Sequence, residues 1–413
     1  MKLIKEHHRG ISTVLAFALI PLSGFATDIY IPSLPSMARE LAVNNSAVQL
    51  SLIAFMISSG VSQLFVGSLL DSFGRYRIGT VSLLVFAFAS FVIAICHNIE
   101  LIYAMRILQG ITVALIVVGK RAYFVDMYSG EQLKHYTSLF SIIWATAPIV
   151  APFIGGYLEA AFGWESNFLF LGIATLSLLV LELVYGGESL KNYHPFKAKS
   201  ILQVYLATIK TRDFSLGLIL ISLSYAMLVV YGMSSPFIIE HVFHLSPVVT
   251  GYCSLLSGVS LMAGGIISKT LIRKPLIKKV SIALALQLGF AALMVFTAGI
   301  KTNLFTLMAF TALVHLLSGF IFNNIFAYCL GRFSKNAGIA SGVTGGSLYI
   351  ITSFFSYGIV NIMAIKNQQL LGTAYLSFAI LAVVTLVLFI KARASHQKQE
   401  EAAVILAAEV AVV

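Results

Sequence analysis

Apolar stretches of twenty or more residues recur from one end of this chain to the other, and that recurrence constrains the fold more than any single motif. A helix that crosses a bilayer needs about 20 mostly apolar residues. Inside the hydrocarbon it must also satisfy its backbone polar groups within its own segment. By that rule the sequence predicts twelve spanning helices, near residues 11–33, 46–70, 76–96, 99–124, 136–160, 165–186, 214–240, 246–271, 276–298, 302–329, 337–362 and 369–391. Most connections are short, so neighbouring spans run antiparallel. Composition agrees: 59% of residues are hydrophobic and only 10% are charged, against about 25% charged in soluble proteins. Too few charges exist to cover a water-soluble surface of this size, and an all-α polytopic membrane protein is the expected class.

The net charge of +11 raises the question of nucleic acid, but the positive residues sit in short gaps between apolar runs, with no basic patch interleaved with aromatics. No nucleic-acid partner is expected. With the N-terminus placed inside, the inner segments hold 21 of the 27 Lys and Arg, while the outer loops hold only Arg39, Lys301 and Lys366. That bias orients the chain with both termini in the cytoplasm. The basic start "MKLIKEHHRG" leads into an apolar run containing Asp28 and Pro32, read here as a retained first span rather than a cleaved signal. Cys96, Cys253 and Cys329 are scattered and give neither a disulfide framework nor a metal site.

One connection is long. Residues 187–213 divide the spans six and six, giving an N-terminal bundle (1–186), a linker (187–213), a C-terminal bundle (214–391) and a tail (392–413). Within the linker, Ile201, Val204, Tyr205 and Ile209 recur at helical spacing beside Lys197, Lys199 and Lys210, which predicts an amphipathic helix on the membrane surface; a plain solvated linker is the other reading. Two halves of six suggest a duplicated unit. The connection "GSLLDSFGRYR" after the second span has a weak counterpart, "GIISKTLIRK", after the eighth.

The fourth span, "LIYAMRILQGITVALIVVGKRAYFVD", is the most informative stretch. It carries Arg106 inside and Lys120 and Arg121 near its far end. A charge at the centre of a spanning helix costs about 2.5–3.5 kcal/mol on insertion scales, so it persists where it faces a cavity or a partner.

Four motifs in order carry a resemblance. These are "DIYIPSLPSM" closing the first span, "GSLLDSFGRYR" after the second, "RILQG" in the fourth and "APIVAPFIGG" in the fifth. Together they resemble the major facilitator superfamily, and within it the twelve-helix drug:proton antiporters of the Bcr/CflA and EmrD-like type. The second, third and fourth are similar to that family's motifs A, B and C, the last being the antiporter signature, with Ala151 where Gly is usual. Two departures stand out: Val125 precedes Asp126 where relatives often have Arg, and Asp28 is the lone carboxylate within the first span.

The resemblance implies two pseudo-symmetric six-helix bundles around a central cavity that opens alternately to each side. It implies proton-driven export of small amphipathic compounds or drugs across a bacterial inner membrane, and a monomer is expected. Narrow export of one metabolite, such as a siderophore, is a second expectation; a receptor or sensor without transport is a third, from another class. No nucleotide, metal or other cofactor is implied beyond the proton gradient, and no enzyme signature (HExxH, GxSxG, GxxxxGK[ST]) is present.

Asp28 and Arg106 lie at similar depth, about five and seven residues from the same ends of their spans, and in the family fold both spans line the cavity. The expectation is that Asp28 carries the proton with Arg106 as its electrostatic partner; a static ion pair is the alternative. By the same resemblance, Gly67, Asp71, Gly74, Arg75, Arg77 and Asp126 are expected to form the motif A latch, with Asp71 accepting from the start of the eleventh span and Arg75 pairing with Asp126; a charged turn that only sets topology is the alternative. Pro148, Pro152, Gly155 and Gly156 predict a kinked, closely packed fifth span. Gln63, Arg106, Gln109, Tyr225, Tyr231, Met233, His315, Asn323 and Tyr349 are candidate cavity residues, each with ordinary helix packing as its alternative. Lys120 and Arg121 form either an inner basic site or a pair reaching to the interface.

Overall fold

The structure is a computed structural model that describes residues 3–193, 205–206, 208–333 and 337–412. Its first span is the least regular. It is built from α1 (Arg9–Leu19), α2 (Leu22–Asp28), a 3-10 turn (Ile31–Ser33) and α3 (Leu34–Glu40). The predicted end at 33 falls short because Pro32 and Pro35 re-aim the helix without ending it: each stands in the first turn of the segment it opens, where a missing N–H costs nothing.

The rest of the N-terminal half is α4 (Asn45–Phe73), α5 (Arg75–Ile95), α6 (Ile99–Met127), α7 (Gly130–Phe162) and α8 (Glu165–Tyr185). The C-terminal half is α9 (Arg212–His241), α10 (Pro247–Thr270), α11 (Leu276–Ala298), α12 (Leu304–Arg332), α13 (Ala337–Met363) and α14 (Gln368–Val412). Among the described residues eleven helical stretches are long and apolar enough to cross a membrane; α7, 33 residues long with Pro148 and Pro152 inside it, completes the two sets of six.

Local chemistry places the helix starts. The Asn44 side chain accepts from the Ala47 N–H, Asn98 from Leu101, and Asn303 forms a reciprocal box with Thr306, supplying donors left open in a first turn with their acceptors. Between α4 and α5 the chain turns on Gly74 at φ 89°, in the left-handed region that favours glycine. A Cβ there would also lie 2.7 Å from the Glu188 carboxylate.

Packing repeats across the halves. In the first half α4 packs on α6, α5 on α6 and α5 on α8; in the second α10 packs on α12, α11 on α12 and α11 on α14. Small residues permit the closest crossings. A Cβ on Gly110 would meet the Phe55 carbonyl at 2.4 Å, and one on Gly264 or Gly319 would meet the Leu316 or Leu261 carbonyl at 1.8 and 1.9 Å. The halves meet along two long seams, α7 against α10 and α4 against α13. In the second seam Gly60 and Gly346 face each other, each with the other's carbonyl under 3 Å from where a Cβ would stand.

The two faces of the molecule differ. On the terminal face, where the chain enters, Leu3 bridges to Glu188 and Ser12 donates to the Tyr185 carbonyl at 2.9 Å. On the opposite, distal face the halves are fastened together. Gln49 donates to the Met233 carbonyl at 2.7 Å, Arg39 pairs with Glu240 at 2.9 Å, and the Tyr157 and Tyr252 hydroxyls share a hydrogen bond of 2.8 Å.

Two expectations change at the edges. The surface helix predicted on Ile201, Val204, Tyr205 and Ile209 falls largely outside the described residues; of that set, the Tyr205 hydroxyl donates to the Leu64 carbonyl of α4. The tail from 392 onward continues α14 as helix to Val412.

Candidate functional site

Between the halves lies a partly open cavity. Thr27 and Asp28 of α2, Ile31, Leu52 of α4, and Pro148 and Pro152 of α7 line it from one side; Tyr225, Leu228, Val229, Tyr231 and Gly232 of α9 with Ser254 and Ser257 of α10 line it from the other. Apolar and aromatic walls with a few polar groups suit small amphipathic ligands.

Asp28 sits where α2 ends and the chain tightens into the 3-10 turn. Among the described residues its carboxylate has no ion-pair or hydrogen-bond partner. Arg106 and the tyrosines Tyr225 and Tyr349 lie within its electrostatic reach.

Motif C explains how this acid is held. Along α7, Pro148 and Pro152 face the cavity, and proline there leaves no N–H to be satisfied. One turn on, a Cβ on Gly155 would stand 1.6 Å from the Ile29 carbonyl, directly after Asp28. Gly156 faces the other way, where a Cβ would lie 2.6 Å from the Pro247 carbonyl of the second half. Two adjacent glycines thus serve two contacts, one within the first half and one across the seam.

Arg106 is fully buried and lies within electrostatic reach of Asp28, but it makes no direct ion pair or hydrogen bond with that carboxylate and does not line the cavity. Its Nη1 donates to the Ala26 carbonyl at 2.9 Å and to Gln109 Oε1 at 2.8 Å, and its Nε reaches the Ser51 carbonyl at 3.4 Å. The guanidinium lies over the rings of Phe55 at 4.3 Å and Tyr30 at 4.8 Å. Matched depth is therefore insufficient: the side chain lies behind the first span and grips its backbone. Gln109, also expected in the cavity, passes the network on to the Ser90 hydroxyl at 2.8 Å and is fully buried. Arg106 and Gln109 together tie the first four spans to one another.

The other cavity candidates divide. Tyr225 and Tyr231 line the cavity, and the Tyr231 hydroxyl donates to Met308 Sδ at 3.3 Å. His315 stands behind that wall, fully buried, with Nδ1 2.7 Å from the Ser257 hydroxyl and Nε2 3.2 Å from that of Tyr375. Met233 contributes its carbonyl to the distal closure and not its thioether to the cavity. Gln63 lies in the α4–α13 seam, its Oε1 2.6 Å from where a Gly345 Cβ would stand, and Asn323 lies against Gly265 and donates back to the Gly319 carbonyl at 2.9 Å. Tyr349 packs on Gly60 in the same seam as Gln63, its Cβ 2.9 Å from where a glycine Cβ would stand.

On the terminal face the motif A charges form a cluster within the first half. Arg75 pairs with Asp71 at 3.0 Å and with Asp126, and the Ser189 hydroxyl donates to Asp126 at 2.7 Å. The expected link from Asp71 to the start of α13 falls on residues outside those described; within them Asp71 pairs with Arg75. Gly67 faces open space and Arg77 is on the exposed side of α5.

Sequence reasoning passed over Glu188. Its carboxylate accepts from the backbone N–H groups of Arg75 and Tyr76 at 3.1 and 3.0 Å and from those of Ser189 and Leu190 at 3.1 and 3.0 Å. It caps α5 from the linker, where an anion also meets the favourable end of the helix dipole. Glu182 was passed over too. This buried acid of α8 holds Lys120 at 2.5 Å, pairing it within the first half. Asp213 plays a related part in the second half, accepting from Tyr328 and Arg332 at 2.5 and 2.8 Å. An acid at the end of an apolar run gives the only sequence signal for these three.

Comparison with known proteins agrees with this architecture. Residues 16–357 match the family model described as Major Facilitator Superfamily. The chain is 27% identical over 325 residues to an uncharacterized MFS-type transporter, YdgK, of Bacillus subtilis, covering 77% of this chain and 80% of the relative. It is 25% identical over 333 residues to the bicyclomycin resistance protein homolog of Haemophilus influenzae, covering 80% and 84%. With multidrug resistance protein D of Escherichia coli it shares 33% identity over 167 residues, 40% of this chain and 42% of the relative. Among solved structures, the D-xylose-proton symporter superposes with a TM-score of 0.67 at 14% identity, covering 90% of this chain and 96% of that one. The human organic anion transporter MFSD10 gives 0.64 at 16%, covering 93% and 100%; at such identities these two speak for the fold alone. Paired six-helix halves, a cavity at their seam and a family match over most of the sequence lead to one assignment: the chain belongs to the Major Facilitator Superfamily.

Proposed function

We propose that the chain is a proton-coupled exporter of small amphipathic compounds from the bacterial cytoplasm, with both termini on the cytoplasmic side and Asp28 as the proton-carrying acid. The observation that carries this reading is the placement of Asp28: a carboxylate on the wall of the central cavity, at the seam of the halves, without a side-chain partner among the described residues. A cavity that opens first to one side and then to the other changes the water around such a group, and its hold on a proton changes with it. Substrate and proton then compete for one compartment, which couples their movements. Names of relatives support drugs as the substrate class: three are called resistance proteins for bicyclomycin, chloramphenicol or multiple drugs.

The test is transport by the purified protein in proteoliposomes carrying an imposed pH gradient, with ethidium as the probe. Coupled export predicts uphill ethidium movement against the direction of proton flow, collapsing when a protonophore is added. Movement that ignores the gradient would make the chain a facilitator and remove the proton from the mechanism.

A further inference from the structure

Three positive side chains lie along α6, and two are accounted for. Arg106 grips the first span, and Lys120 is held by Glu182. Arg121 is different. Among the described residues it has no hydrogen-bond or ion-pair partner, and its Nε is shut off from solvent with nothing to donate to. Its terminal nitrogens are not shut off in this way, so the head of the side chain looks into accessible space.

The surroundings fix which space this is. On the same turn of α6, Gly119 meets Leu70 of α4 and Lys120 turns to α8. Arg121 shares neither contact, and it lies within electrostatic reach of Tyr349 of α13, in the second half. That tyrosine is also within electrostatic reach of Asp28. Arg121, Tyr349 and Asp28 thus form a series of electrostatic neighbours, basic towards the terminal face and acidic at the cavity. A partly buried guanidinium without an anion is costly, and its planar fork of donors matches a carboxylate two bonds at a time.

We propose that Arg121 is an anion-recognition residue of the transport path, and that the substrates include amphipathic molecules carrying a carboxylate on an apolar or aromatic body. The assignment rests on the export reading for its setting and deepens it by naming the substrate class. The anion docks on Arg121 near the terminal face while the apolar body extends along Tyr349 towards the cavity walled by Tyr225 and Leu228.

Equilibrium dialysis in a nonionic detergent, with carboxyfluorescein as the probe, tests this on the full chain. Binding by the unaltered protein should weaken about tenfold or more in Arg121→Gln and by no more than about threefold in Arg121→Lys, since a charged hydrogen bond is worth roughly twice a neutral one. Arg121→Gln should unfold at the same temperature as the parent or higher, because it removes an unmatched charge; a structural arginine would give a clear loss. Absence of carboxyfluorescein binding, equal binding by Arg121→Gln, or displacement of the probe by phosphatidylglycerol, which would assign the site to a lipid headgroup, overturns the inference. Gradient-driven ethidium transport by the unaltered protein reports separately on export, so either reading can fail while the other stands.

Discussion

Lys120 shows what a charge inside an apolar helix requires. Its ammonium and the Glu182 carboxylate are both largely withdrawn from water, at 14% and 4% side-chain exposure. Such a pair adds little net stability over an apolar pair, but breaking it strands the survivor at about 3–5 kcal/mol. Glu182→Gln should therefore lower the unfolding temperature of the detergent-solubilised protein sharply. The double change Lys120→Met with Glu182→Leu should recover most of the loss. Equal stability of Glu182→Gln and the parent would mean that the pair does not hold α6 to α8. The sequence displayed Lys120 plainly and hid its partner, because the pairing joins positions 62 residues apart and depends on how two helices are turned. The same limit applies to Arg106. Counting residues placed it level with Asp28, but depth says nothing of azimuth, and its guanidinium turned to the Ala26 carbonyl instead.

At the scale of the element, α7 carries the densest set of instructions. Four residues of "APIVAPFIGG" distribute over two prolines towards the cavity, one glycine against the first span and one against the second half. Gly155→Ala would place a methyl 1.6 Å from the Ile29 carbonyl, and relief requires the first span to move. Overpacking of this kind costs about 1–3 kcal/mol. Thermal unfolding should show that loss, with transport falling further because Ile29 follows Asp28. A variant as stable and as active as the parent would show that the first span is not held where the structure places it. Here the sequence was legible, since Pro and Gly announce backbone geometry by their own chemistry. The broken first span was less so: apolar periodicity ended at 33, whereas the prolines continued the helix to Glu40.

Over the whole molecule, the twelve spans and their division into halves were readable because hydrocarbon demands long apolar helices wherever the chain crosses it. Cavity walls were readable only in part. Tyr225 and Tyr231 reach the cavity, whereas Gln63, Gln109, Met233, His315 and Asn323 serve seams and networks. A polar residue in an apolar helix marks an interior, and interior includes both. What unites the molecule is the seam: distal contacts fasten the halves over the cavity, while Asp28, an acid without a direct side-chain partner among the described residues, sits on its wall. On the proposed export reading, alternating access would amount to releasing those contacts while the terminal ends approach.

The most direct test of this account is a pH-jump experiment on Asp28→Asn in proteoliposomes, read beside substrate counterflow without a gradient. Asparagine keeps the shape and loses the titrating group, so the account predicts that counterflow of ethidium persists and gradient-driven accumulation disappears. Undiminished gradient-driven accumulation by Asp28→Asn would contradict it.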